Sequence, residues 1–374
     1  MIEPAVASIS LPDFNLWGKI GQRRIPLSFD LELTARCNNN CRHCYINLPK
    51  NDPAAQEREI SFEQIRTVAD GAVSLGALWC LLTGGEPLLR KDFSEIYLYL
   101  KKKGLLVSIF TNAALVGEEH VRLFKRYPPR DIEVSVYGTM EKTYERITRT
   151  SGSFRAFKQG LNLLLKSGLN VRLKAMALRS NLRELSQIRR FCRTRARDYF
   201  RFDPFLHLRC DGDSKKNRDI MAERLTPQEI IILERSDQAR FQALQRECGP
   251  FVSPEPAATT GPLFSCGAGL RSFAVGHDGR FLLCPSLRHP GCVYDLKKGA
   301  LADAWQNFVP AVRRILSENN AFKQKCRTCS LINLCLWCPA NAHLETGKLD
   351  APVDYFCAIA QCRAKMLKRN SYQG

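Results

Sequence analysis

Cys37, Cys41 and Cys44 stand at spacings of four and three in the stretch Thr34-Ala-Arg-Cys-Asn-Asn-Asn-Cys-Arg-His-Cys-Tyr45. Three thiolates that close in sequence can converge on one metal centre without help from the rest of the chain. A cubane iron–sulfur cluster has four irons and normally takes four cysteines. The loop offers three, so either a distant cysteine completes the set or one iron is left open for a ligand that is not protein. The competing chemistry is a zinc knuckle, which usually needs a fourth ligand in a paired C-x-x-C or a nearby His.

A second stretch favours the open iron. Leu78-Trp-Cys-Leu-Leu82 reads as a strand and runs into Thr83-Gly84-Gly85-Glu86-Pro87. Two glycines after a strand let the backbone approach a ligand closely, with a carboxylate beside it. The cysteine loop itself follows Pro26–Leu33, where apolar and polar residues alternate as in a half-buried strand.

CxxxCxxC followed by GGEP resembles the radical S-adenosylmethionine (radical SAM) superfamily. The resemblance implies that Cys37, Cys41 and Cys44 hold a [4Fe–4S] cluster whose free iron chelates the amino and carboxylate groups of SAM. It places Gly84, Gly85 and Glu86 against the methionine amino group. Thr111 and Asn112, at the end of the next strand, join the cofactor site. Ser135-Val-Tyr137-Gly138 and Ile147-Thr-Arg149-Thr-Ser-Gly-Ser-Phe154 resemble further family stretches. Ser135 would bind the ribose or the carboxylate, and Arg149 would pair with the carboxylate through its planar fork. His43 and Tyr45 flank the last cysteine, where the family packs adenine. The reaction implied is reductive cleavage of SAM to a 5′-deoxyadenosyl radical that abstracts hydrogen.

Nine of the sixteen cysteines follow residue 265. Cys266, Gly279 and Cys284, then Cys326-x2-Cys329-x5-Cys335-x2-Cys338, then Cys357 resemble the SPASM extension of radical SAM enzymes that modify peptides and proteins. The resemblance implies an outer auxiliary cluster on Cys326, Cys329, Cys335 and Cys357. It implies an inner one on Cys266, Cys284 and Cys338. The chain departs from the pattern by leaving two residues, not three, before Cys338. The stretch after Cys266 also lacks a fourth inner cysteine, so that iron is open or is reached by Cys292. Cys362 has no assigned role. Two tetrahedral zinc sites are the alternative for this field.

These motifs need a scaffold that brings strand ends together. Strand and helix signals alternate from residue 27 to 206. Six βα units predict a parallel sheet with helices outside, and the order resembles the superfamily's partial (β/α)6 TIM-like barrel, an α/β fold. Expected helices include 62–69 capped by Ser61, one from Asp92 to about Lys103, 118–126, 154–166, a basic helix over 182–196 and one over 226–245. The domain reading is an N-terminal arm over 1–26, the barrel over 27–206, a linker with a helix over 207–264, and the SPASM auxiliary-cluster domain over 265–374.

Composition excludes some classes. No apolar run approaches the roughly 18 residues a membrane span needs, and the start lacks a secretory signal. The chain is expected in the cytoplasm, where sixteen cysteines indicate metal ligands rather than disulfides. A formal charge of +19 points to solvated basic helix faces or an acidic partner. The basic groups are scattered, as in Lys101-Lys102-Lys103, Arg189-Arg190 and Arg193–Arg197.

The function expected is modification of a ribosomally made precursor peptide: a crosslink, an oxidation or an epimerisation. Modification of RNA or a cofactor precursor is the alternative enzyme, and a non-catalytic iron–sulfur electron-transfer or scaffold protein the alternative class. Pro285, after Cys284, counts against formylglycine formation. The 26 residues before the first strand are too few for a leader-binding domain, so a separate leader-binding chain and an external donor of flavodoxin or ferredoxin type are the expected partners. Asp203, His343, Asp354 and Tyr355 lie near the motifs, but none is assigned as a base.

Overall fold

A nine-stranded, mostly parallel sheet organises the chain. Its strands are β1 (Ser28–Glu32), β2 (Trp79–Thr83), β3 (Leu106–Thr111), β4 (Asp131–Ser135), β5 (Val171–Met176), β6 (Arg201–Asp203), β7 (Ser272–Val275), β8 (Arg280–Leu282) and β9 (Val293–Asp295). They lie in the order β9-β8-β7-β1-β2-β3-β4-β5-β6. The computed structural model describes residues 24–196, 201–248 and 261–370. Most of the expected N-terminal arm, and the proline-rich stretch after Cys248, lie outside these residues.

β1 to β6 run parallel, with α1 (Phe62–Ser74), α2 (Phe93–Lys102), α3 (Glu118–Arg126), α4 (Glu141–Thr148), α5 (Ser153–Lys166) and α6 (Leu185–Arg195) between them. This is the partial barrel. One face of each strand carries Phe29 and Leu31, Cys80 and Leu82, Val107 and Ile109, Ile132 and Val134, or Leu173 and Ala175. All are buried in one core with Ile65, Val68, Ile96, Phe124, Phe157, Leu161 and Ile188 from the helices. The alternate residues face inward and are largely polar: Asp30, Glu32, Thr83, Glu133, Ser135 and Lys174. Register aligns the strand ends, with Glu32 opposite Thr83 and Ser135 opposite Lys174.

The sheet does not stop at the barrel. β7 pairs parallel with β1, Ser28 opposite Ser272, and β8 and β9 continue antiparallel. The C-terminal cysteine field therefore hangs from the barrel's first strand, and Arg288 tightens the join. It donates to both oxygens of Glu32, a fully buried carboxylate, at 2.6 Å.

Two local expectations are corrected. Asp92 occupies the N-cap position of α2, but its carboxylate takes Arg90 at 2.6 and 2.8 Å instead of capping the helix. The helix expected over 226–245 is two, α8 (Pro227–Ser236) and α9 (Gln238–Cys248). Asp237, 3% exposed, accepts from the Arg240 N–H and restarts the helix. α7 (Ser214–Glu223) precedes them. Asp237 also takes Arg193 at 2.9 Å and Arg189 at 3.7 Å, so two arginines of the basic helix are spent inside the fold. No described helix is long and apolar enough to cross a membrane.

Candidate active site

The three-cysteine loop leaves β1 and is fixed by its own backbone and by distant side chains. Arg36 and Cys37 pair with Leu48 and Pro49 in a two-stranded ladder. The N–H groups of Asn40 and Arg42 reach the carbonyls of Thr148 and Ile147 at the end of α4. Arg209, 2% exposed, donates to the Cys44 carbonyl at 3.4 Å and to the Asn47 carbonyl and side chain at 3.1 and 3.0 Å. Asp211 holds that guanidinium from the other side. Arg209 sits in the stretch read as a linker; nothing near it in sequence signals that it clasps the loop.

The GGEP turn crosses directly over the loop's start. Gly84 has φ +137°, and a Cβ there would lie 2.3 Å from the Thr34 carbonyl; one on Gly85 would lie 2.3 Å from the Arg36 carbonyl. The Gly85 N–H donates to Thr34 at 2.6 Å and the Glu86 N–H to Arg36 at 3.0 Å. Only glycine lets these two backbones touch.

A cavity of about 310 Å³ opens at the strand ends. Cys37, Cys41 and Cys44 line it, with Tyr45, Gly84, Gly85, Thr111, Asn112 and Ser135. Burial pushes the Cys37 and Cys41 thiols well up, and each thiol also feels the charge of another in the loop. Without a cation these groups stay protonated; irons would supply the charge that thiolates need there. The Asn39 N–H and Asn112 Nδ2 point at the Cys37 sulfur from 3.4 and 3.7 Å, the donors an iron-bound thiolate accepts. Among the described residues no three His, Cys, Asp or Glu groups form a site for a single metal ion. The cavity and its donor set fit a cubane with an open position.

Two candidates do not face the cavity. Glu86 is fully buried, and its oxygens take Thr111 Oγ1 at 2.7 Å, the Asn112 N–H at 2.8 Å and the Leu88 N–H at 3.2 Å. Burial pushes it up to about 7, against these three donors. It fixes the strand end that carries Thr111 and Asn112. Arg149, in the left-handed region at φ +51°, pairs with Asp219 of α7 at 2.7 Å and is absent from the cavity wall. His43 packs edge-on to Tyr137, and burial pulls it down to about 4.

Lys174, which the sequence places near a strand end, is on the wall; it pairs with Glu133 at 2.5 Å and lies 3.7 Å from the Phe110 ring centre. Other wall residues went unnoticed in the sequence. Asp30 is pushed up to about 6 by burial and by Glu32. The period-two polar run Ser28, Asp30, Glu32 was the available signal. His207 and Asn39 also line the wall.

The C-terminal cysteines form two sets. Cys326, Cys329, Cys335 and Cys357 line one cavity of about 460 Å³. Burial pushes Cys326 and Cys335 up to about 11, with the other thiols of the set adding to it. The Leu331 N–H points at Cys329 from 3.4 Å. In the second set, Cys284 feels Cys338 and Cys266, and Cys338 feels Cys266; Cys292 couples to Cys284. Cys338 caps α10 (Pro339–Thr346) by accepting the Asn341 N–H at 3.4 Å. Cys362, on α11 (Asp354–Asn370), is not part of the outer cavity's wall. The second set adjoins the barrel: Pro285 lines the radical-site cavity, and His207 on that wall bonds Asn341 at 2.7 Å.

The radical SAM superfamily profile matches residues 31–192. Those residues are a radical SAM domain. That domain implies one [4Fe–4S] cluster and SAM, and radical chemistry of the oxidoreductase type. The chain is 25% identical to an AdoMet-dependent heme synthase of Methanosarcina barkeri (strain Fusaro) over 88% of its own length and 95% of that relative's. It is 32% identical to the antilisterial bacteriocin subtilosin biosynthesis protein AlbA of Bacillus subtilis (strain 168), over 43% of its own length and 35% of that relative's. The fold is that of Streptococcus suis SuiB, solved bound to the precursor peptide SuiA: TM-score 0.66, 15% identity, 91% of this chain and 78% of that one. The α/β radical SAM fold expected from the sequence is the fold observed.

Proposed function

We propose that the chain is a radical SAM enzyme that modifies a side chain of a ribosomally made precursor peptide. In this reading Cys37, Cys41 and Cys44 hold the SAM-cleaving cluster. Cys326, Cys329, Cys335 and Cys357 hold an outer auxiliary cluster, and Cys266, Cys284 and Cys338 an inner one. When loaded, the first cluster and SAM supply a 5′-deoxyadenosyl radical. The chain's own residues do the rest. Gly84 and Gly85 bring backbone to SAM, Tyr45 and Ser135 wall its nucleoside, and Phe110 and Met176 keep the floor apolar beside Lys174.

One observation carries the reading: the inner cysteine set touches the cavity in which hydrogen would be abstracted, through Pro285 and through His207 and Asn341. A site built that way has an electron-handling group beside its substrate. The exposed side chains of Lys323 and Lys325 flank Cys326, and Lys365 shares an exposed stripe of α11 with Cys357 and Gln361. That cationic rim fits an acidic one-electron carrier of the flavodoxin or ferredoxin type. A separate leader-binding chain would present the peptide.

The decisive experiment is anaerobic reconstitution followed by incubation with SAM, reductant and a short Cys- or Asp-rich peptide, sought among the open reading frames beside the gene. A mass change in the peptide with matching 5′-deoxyadenosine is expected, from protein holding about twelve irons. About four irons would reject the auxiliary clusters. The end-to-end match to a heme synthase favours a second reading, a tetrapyrrole substrate. Conversion of a tetrapyrrole precursor to heme, with the peptide untouched, would establish that one instead.

A further inference from the structure

Asn38, Asn39 and Asn40 fill the space between Cys37 and Cys41, and they are not equivalent. Asn38 Oδ1 accepts from Asn112 Nδ2 at 2.8 Å, and Asn40 Oδ1 from Asn47 Nδ2 at 3.5 Å. Asn39 is 3% exposed, and neither its Oδ1 nor its Nδ2 has a partner. It lines the radical-site cavity. Buried carboxamides are almost always bonded, so a bare one on a cavity wall marks a place for a ligand.

We propose that Asn39 recognises the amino-acid end of SAM, with Oδ1 accepting an N–H from the amino group and Nδ2 donating to the carboxylate. The inference rests on SAM binding at the three-cysteine loop. A cubane and its thiolates present only acceptors, so they can satisfy Nδ2 but never Oδ1. Oδ1 needs an N–H or O–H from a ligand, and SAM carries these on its amino group, its ribose and its adenine. Position selects the first. Asn39 lies two residues after Cys37, its backbone N–H points at that sulfur from 3.4 Å, and the residue lines the cavity beside all three cysteines, the end at which the amino and carboxylate groups would be chelated.

A second observation agrees. Glu86, the acidic group expected beside the amino group, has spent its oxygens on Thr111, Asn112 and Leu88 and does not reach the cavity wall. Its carboxylate is not available as the side-chain acceptor there, and Asn39 offers one with a donor alongside. A carboxamide complements an N–H donor that stands next to a carboxylate.

The test is SAM affinity of the reconstituted protein by anaerobic calorimetry, with the change that SAM makes in the electron paramagnetic resonance spectrum of the reduced protein as a second readout. Asn39→Ala should weaken SAM roughly ten- to hundred-fold at unchanged iron content, the size expected for hydrogen bonds to charged groups. Asn40→Ala, at an exposed position of the same loop, should stay within about twofold. Asn39→Asp keeps the acceptor and turns the donor into a repulsion. It should bind SAM weakly, yet bind the decarboxylated analogue at least as well as the wild type does. Asn39→Ala with full iron and wild-type affinity would overturn the assignment. If that variant loses iron, the Asn39→Asp pair decides: an unchanged preference for SAM over the analogue overturns it equally. A wild-type protein that takes up the loop's irons but binds no SAM would instead bring down the loop reading on which the proposal stands.

Discussion

The two cysteine regions of this chain are built in opposite ways. The loop of Cys37, Cys41 and Cys44 spans eight residues, is partly buried, and is gripped by GGEP from above and by Arg209 from behind. The C-terminal field gathers thiols spread from Cys266 to Cys357, and both of those end members are exposed. The loop has its ligand spacing written into the chain, and the fold adds a wall and a lock. In the field the fold makes the spacing, and solvent reaches the edge. The first arrangement suits a centre that must hold one open position away from water. The second suits centres that pass charge outward, where exposure costs little.

Substituting one ligand in each region gives the largest contrast. Cys41→Ser should abolish 5′-deoxyadenosine formation while leaving about eight irons per chain, and Cys335→Ser should remove about four irons yet leave dithionite-driven SAM cleavage measurable. Equal losses of activity would break the comparison, since the field would then be needed for the first step. A chelator should separate them as well, stripping iron from the outer set, which ends at the exposed Cys357, before the partly buried loop.

Gly85→Ala probes the grip itself. Its Cβ would meet the Arg36 carbonyl at 2.3 Å, so the loop's first ladder has to move. A protein that still folds should fail to keep the loop's irons while holding the other eight or so. Gly347, at φ +80° with no atom within 4 Å of an added Cβ, is the counterpart in the C-terminal region. Gly347→Ala should cost only about 1 kcal/mol of backbone strain, read from the thermal midpoint, with iron unchanged.

Legibility divides along the same line. The loop, the glycine pair and the six βα units were readable because each is a local pattern: spacing within eight residues, or a period of two or 3.6. What escaped depends on pairs far apart in the chain. Arg149 was expected at the cofactor, but Asp219, seventy positions on, takes its guanidinium. Glu86 was read as a ligand group and serves as a brace, because Thr111 and Asn112 arrive from the next strand. Arg209 and the β1–β7 pairing fall in or beyond a stretch whose composition says only turn and linker. Asn39 had a signal, three asparagines in a row, but only the packing separates the bare one from its neighbours.

Arg209→Met sharpens the comparison further. It removes the donors to three acceptors behind the loop and leaves the C-terminal sets untouched. Lys216 still reaches the Asn47 carbonyl at 2.9 Å, so two oxygens are left bare, which should cost about 2 kcal/mol. The loss should appear as a lower midpoint in denaturant and faster release of the loop's iron, with the auxiliary irons retained.

The last contrast lies where the two regions share a strand. β1 pairs with β2 of the barrel on one side and with β7 of the C-terminal region on the other. Asp30 sits in its middle, pushed up to about 6 by burial and then by Glu32. The sign follows from which state holds the proton. Below about pH 3.8 the carboxyl is protonated folded or unfolded, and it costs nothing. Between there and about pH 6 the unfolded chain releases a proton that the folded chain keeps, so this group's contribution to stability falls as pH rises. Above about 6 both states are ionised and the loss is complete. At about 1.4 kcal/mol per pKa unit it is on the order of 3 kcal/mol. Asp30→Asn should therefore gain stability relative to the wild type across that window and hold the gain at neutral pH. If the gain appears in the barrel alone, with β7 amides exchanging hydrogen as before, the two regions open separately despite their shared strand. If β7 is protected in step, they are one cooperative unit, and the contrast between them is one of chemistry and not of folding.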